Sequence, residues 1–218
     1  ADEADYIMGT DAEYTLYAVW EACKYTVTFD KQEGISGSDD IEVTYDEPMP
    51  QADAPSRVGY TFEGYYTQTN GDGIQFYDGS MNSLRIWNIT EDTKLYAKWT
   101  PNVYTLAFSV NGGDEIEFDS KQVTFDTPVG EMPEVSKIGH SFIQWNSQEN
   151  GLGATYTEET LYQVASGITL YAQWQINQYT ITFNSNGGTA VASITQDYNS
   201  LVYEPDAPTK DGFLFAGW

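Results

Sequence analysis

Few side chains in this sequence are equipped for chemistry, and their spacing limits what they could do. There is one cysteine, Cys23, and one histidine, His140. A nucleophilic thiol needs a base beside it, and the sole imidazole lies far down the chain. Cys23 therefore reads as a free thiol, and a lone cysteine permits no internal disulfide. The 33 acidic residues offer carboxylate pairs, but none recurs or sits in a motif, so glycoside hydrolysis is not indicated. Asn70, Asp72 and Asp78 flank a glycine turn and could offer oxygen ligands to calcium. Their spacing does not fit the calcium-binding helix–loop–helix pattern, and the matching stretch Asn150 to Tyr156 lacks the aspartates. They read as a solvated turn, with no metal ion expected. A Lys–Asn isopeptide crosslink would need a buried lysine beside an asparagine and a carboxylate, and the lysines fall in unmatched places. The remaining candidates are Tyr66, Tyr77 and Trp87, rings that fall off the core register. On one exposed face they would make a stacking platform for a sugar or peptide. No catalytic residue or cofactor is expected, and the chain does not read as an enzyme.

The elements that must position these residues come as repeats. Leu95-Tyr96-Ala97-Lys98-Trp99 runs through a four-residue joint into Tyr104-Thr105-Leu106-Ala107-Phe108. Leu16 to Trp20 runs likewise into Tyr25 to Phe29, and Leu170 to Trp174 into Tyr179 to Phe183. Such recurrence marks a tandem array. Residues 1–22 read as the end of an upstream repeat, 23–100 and 101–176 as complete modules, and 177–218 as the first part of another. Within each, apolar and polar residues alternate at the strand period. Tyr25, Val27 and Phe29 should face a core, as should Leu95, Ala97 and Trp99. Ile41 to Tyr45 reads as the hairpin partner of the first strand, after a Gly/Ser/Asp turn. A proline loop follows, then Gly59 to Tyr66 as a third strand. Met81 to Trp87 and Glu158 to Val164 read as short helical turns, the latter with Thr157 as cap. Lys121 to Phe125, Gly139 to Trp145, Ala192 to Tyr198 and Gly212 to Trp218 repeat the order.

Net charge is −24, spread as −6, −7, −8 and −3 over the four segments. A chain this acidic lacks the Lys/Arg footprint that phosphate binding needs, so nucleic acid is excluded as a partner. Uniform like charge favours a soluble, monomeric array. No apolar run is long enough to insert in a membrane. Aromatics at 15% suit thin β cores filled by large rings.

The order Tyr-Thr-Val-Thr-Phe, Asn-Gly-Gly, proline loop, Gly-Tyr-Thr-Phe-x-Gly, Gly-x-Gly and Leu-Tyr-Ala-Lys-Trp resembles the Listeria–Bacteroides repeat, the internalin-type B-repeat. The third repeat matches most fully, from Tyr179 through Asn186-Gly187-Gly188 to Gly212–Trp218. Gln32-Glu33-Gly34 departs from it at the first turn. The resemblance implies a mostly β fold of tandem β-grasp (ubiquitin-like) modules joined by short linkers. It also implies a place in an extracellular, secreted or cell-wall-anchored bacterial protein. The expected role is a semi-rigid stalk or spacer with an adhesive contribution. The alternative is a carbohydrate- or protein-binding module of an adhesin or secreted enzyme, with a host or cell-surface protein or glycan as partner.

Overall fold

The structure is a computed structural model that describes Glu13 and residues 15–218; the loop expected over Asp2 to Asp11 lies outside the described residues. Its first sheet is built from β1 (Lys24–Asp30), β2 (Asp40–Thr44), β3 (Tyr60–Tyr66), β4 (Gln75–Asp78) and β5 (Thr93–Pro101), in the order β2-β1-β5-β3-β4. The second is built from β6 (Val103–Ser109), β7 (Ser120–Thr124), β8 (His140–Asn146), β9 (Thr155–Tyr156) and β10 (Ile168–Ile176), in the order β7-β6-β10-β8-β9. β11 (Gln178–Ile181) and β12 (Ile194–Asp197) form a two-stranded antiparallel sheet. The chain divides into two compact units. One holds residues up to Arg57 together with Phe62–Trp99, and the other holds Val58–Thr61 with Thr100–Trp218.

Alternation places the expected faces inward. Val27 and Phe29 on β1, Val43 on β2, and Leu95 and Ala97 on β5 are buried, with Tyr25 and Trp99 packed at the margin. Leu106, Phe108, Val123, Leu170 and Ala172 repeat this in the second sheet. Each such side chain removed from water contributes roughly 1.5–3 kcal/mol for the larger ones. β1 pairs with β2 as an antiparallel hairpin and with β5 in parallel. β6 pairs in the same way with β7 and β10. The first and last long strands of each repeat are thus central neighbours.

Several expectations are corrected. Neither Met81–Trp87 nor Glu158–Val164 is helical. The backbone there has a competing use: Trp87 N–H donates to Glu47 O (2.7 Å) and Trp87 O accepts from Asp46 N–H (2.8 Å), while the N–H and carbonyl of Tyr162 do the same with Thr127 O and Asp126 N–H (both 2.9 Å). A single turn of helix cannot compete with these pairings, because nucleation fixes several residues for one bond. The joints are shorter than four residues: only Asn102 separates β5 from β6, and only Asn177 separates β10 from β11. Leu16–Trp20 forms no strand and is exposed, Trp20 at 89%. Gly212–Trp218 forms none either, with a single bridge between Lys210 and Phe213. In the five-stranded sheets the equivalent segments lie beside a partner strand; among the described residues these two have none.

Candidate functional site

The three rings singled out from sequence do not form a surface platform. Tyr77 and Trp87 are fully buried, in the cluster with Val27, Phe29 and Leu95. Trp87 stacks at 4.9 Å on Phe76, and Tyr77 O–H donates to Pro50 O. Burial holds the Tyr77 hydroxyl at a pKa of about 12. Tyr66 is half-buried, with Lys98 Nζ 5.7 Å from its ring centre. The expectation that the three share an exposed face is therefore corrected. The cause is a register shift between β3 and β4, opposite Tyr65 and Tyr66. It turns the consecutive rings Phe76 and Tyr77 both inward. Asn146, the counterpart of Tyr66, is also fully buried. Its amide donates to Gly151 O and Gly153 O (both 3.1 Å) and accepts from Gln148 N–H and Gly153 N–H (both 2.9 Å). All four of its hydrogen bonds are made, so it holds the β8–β9 turn and has nothing left for a ligand.

Asp78, one of the oxygen candidates, spends its carboxylate on Ser80 N–H, Asn82 N–H and the Asn82 amide. The Asn82 bonds hold its pKa below the usual carboxylate value. No group of three or more His, Cys, Asp or Glu side chains converges among the described residues. His140 Nδ1 lies 3.0 Å from Ile138 O, and Cys23 is exposed.

What the repeats share is a lock and a joint. In the lock, the indole N–H of Trp99 donates to Lys31 O (2.9 Å) and that of Trp174 to Val110 O (3.0 Å). Those carbonyls also close the turns that end at Gly34 and Gly113. The indole lies so close that a Cβ on Gly34 would meet Trp99 at 2.6 Å, and one on Gly113 would meet Trp174 at 2.7 Å. The recurring tryptophan and the last glycine of each turn are one interlocked pair.

In the joint, Asn177 N–H donates to Gly139 O (2.9 Å) and its carbonyl accepts from Tyr198 N–H (2.8 Å). Ser141 O–H donates to its side-chain oxygen at 2.7 Å. Asn102 repeats this with Gly59 (2.8 Å), Phe125 (2.9 Å) and Thr61 (2.6 Å). Gly59 and Gly139 adopt φ of +79° and +70°, and a Cβ there would meet the Phe125 or Tyr198 ring at 2.4 and 2.0 Å. Only glycine allows both that backbone and that ring. The sequence reading passed over these joint residues. The signal was present: an asparagine just before the opening strand and a glycine just before the third strand, each at matching places.

A mixed β-sheet repeat with a tryptophan-locked turn and a one-residue joint is a tandem β module, and comparison with known proteins places it. The Listeria-Bacteroides repeat domain model matches residues 25–98, 104–173 and 179–218. The chain belongs to that family. It is 36% identical over 98% of its length to a protein of Evansella cellulosilytica whose name describes it as a Gly-rich membrane protein. It is 34% identical over 94% to a second membrane protein of that organism. Internalin H of Listeria monocytogenes matches at 38% identity over 53% of the chain. The chain spans 24%, 29% and 20% of these three relatives. No helix among the described residues is long and apolar enough to cross a membrane. The family match makes this a tandem region of Listeria-Bacteroides repeats.

Proposed function

We propose that the chain is a non-catalytic, semi-rigid spacer in the extracellular part of a bacterial surface protein, presenting whatever it carries at a distance from the cell. Each repeat of about 75 residues is roughly 30 Å across by the scaling of compact domains. The observation that carries the reading is the Asn177 joint: one residue between strands, held by three hydrogen bonds and a ring seated on Gly139. A flexible connection needs neither a fixed asparagine nor a ring-bearing glycine. The strand order, with the first and last strands parallel at the centre, supports reading each repeat as a β-grasp module that lacks the usual helix. Repetition would also turn any weak contact to a host or cell-surface protein or glycan into avidity.

The test is to insert a flexible Gly/Ser segment after Asn177 and measure the chain by small-angle scattering. The repeat from β6 to β10 should melt as before, while the overall dimensions become broadly distributed. Unchanged dimensions would sink the stiff-joint reading.

A further inference from the structure

The two five-stranded repeats differ most at one edge. In the first, eight residues, Gly79 to Ile86, connect Asp78 to Trp87; in the second, four residues, Glu158 to Leu161, connect Thr157 to Tyr162. The longer connection covers the outer edge of β4. Asp78 N–H donates to Asn82 O (3.1 Å), Leu84 N–H donates to Phe76 O (2.9 Å), Ser83 bridges Tyr77, and Met81 is buried against the core. The shorter one leaves β9 bare. Among the described residues, the backbones of Thr155 and Tyr156 are bonded to no element but β8, and the Thr157 N–H that follows is held only by the Thr160 side-chain hydroxyl (2.8 Å), which an added strand would have to displace.

Beside that edge lies a groove of about 710 Å³ floored by Val135, Phe142, Ile143, Trp145 and Tyr156. Phe142 is 40% and Ile143 55% exposed, whereas their counterparts Phe62 and Glu63 are half-buried. The rim carries Glu134, Glu158 and Glu159. None of the three forms an ion pair among the described residues. The two basic residues of the second repeat are engaged elsewhere: Lys121 on Val129 O and Glu131 O, Lys137 over the Trp174 ring. An open strand edge, an apolar floor and an uncompensated acidic rim together describe one occupant.

We propose that this groove binds an extended polypeptide segment in which apolar and basic side chains alternate, added as a further strand along β9. Strand addition supplies main-chain hydrogen bonds to the bare edge. The side-chain period of two sends one set into the floor and the other toward the carboxylates. The inference does not depend on the spacer reading, and either can fail alone.

The experiment titrates the full chain into a fluorescent decapeptide of alternating valine and lysine. The controls are the serine–lysine and valine–glutamate decapeptides. The valine–lysine peptide should bind, with the serine–lysine peptide at least about tenfold weaker, because a rim charge alone steers more than it holds. Paired E158K and E159K should weaken binding by about tenfold or more, whereas D39K with D40K in the first repeat should change it by less than about twofold. Ile143→Asp, at an exposed position, should abolish binding without lowering the melting temperature. Amide exchange should slow at Thr155 to Thr157 when the peptide is bound. Equal binding of the serine–lysine peptide, an equal effect of the Asp39/Asp40 reversal, or unchanged exchange at Thr155 to Thr157 would overturn the proposal. So would self-association of the chain abolished by Ile143→Asp, or capture of a neutral glycan in the groove in place of the peptide.

Discussion

At the residue scale, the turn after each opening strand shows what a local substitution costs. Asn111-Gly112 and Asn186-Gly187 take positive φ at both central positions, as a type I′ turn demands. In the first repeat Gln32 and Glu33 take the same conformation, at +48° and +68°. Neither is suited to it, and the exposed Glu33–Arg57 pair compensates little. Replacing both with Asn-Gly should raise the stability of the first repeat by about 0.5–1 kcal/mol in a denaturant titration, the strain of two left-handed residues less the entropy a new glycine costs. Two tyrosines make a second contrast. Among the described residues Tyr65 O–H is buried without a partner, whereas Tyr162 O–H donates to Ser166 O at 2.6 Å. Tyr65→Phe should therefore be neutral or stabilising, and Tyr162→Phe should cost about 1 kcal/mol. Matching losses for the two variants would show that Tyr65 has a partner after all.

At the scale of the elements, the lock between turn and closing strand dominates. Gly113→Ala places a methyl 2.7 Å from the Trp174 indole and 2.8 Å from Ser136 O. Backbone atoms cannot swing aside, so the substitution should cost about 1–3 kcal/mol. Trp174→Phe, which removes only the indole N–H and some contact, should cost less than Gly113→Ala. Calorimetry on the pair decides whether the glycine is held for its closeness to the ring. The sequence made much of this layer readable. Alternation identified the inward faces of β1 and β5, and the repeats identified the tryptophans. The parallel pairing of β1 with β5 was not readable, because hairpin signals connect only neighbours in sequence and this contact spans most of a repeat. Tyr77 and Trp87 were misread for another reason: a register shift breaks the period of two at Phe76, and Trp87 lies in an irregular connection to which no period applies. The groove was hidden too, because it arises from four missing residues rather than from any motif.

At the scale of the whole molecule, the ionisable groups predict where the fold gives way. Tyr77, Tyr65, Tyr156 and Tyr162 all have hydroxyl pKa values raised by burial, Tyr77 from 10.0 to about 12. A group whose folded pKa is raised contributes stability below its unfolded value and loses it as pH climbs through the folded one. Stability should hold through neutral pH and fall between pH 10 and about 12, with tyrosinate absorbance rising together with loss of the β signal. On the acid side Asp39, beside Lys31, and Asp78 have lowered values. Their contribution is present above the ordinary carboxylate value and disappears as pH falls through the depressed one. Both lie in the first repeat, so acid should weaken that repeat as pH falls below the ordinary carboxylate value, and by little, because both carboxylates are exposed. In each five-stranded sheet, moreover, the strand that enters and the strand that leaves lie side by side and point the same way: Val27–Asp30 along Thr93–Tyr96, and Leu106–Ser109 along Ile168–Tyr171. Tension on the chain drags these two strands past one another lengthwise. Their hydrogen bonds are then loaded in shear, so that the rungs must break together, where a hairpin pulled from its open end would unzip one rung at a time. Under a pull, every complete repeat acts as its own clasp.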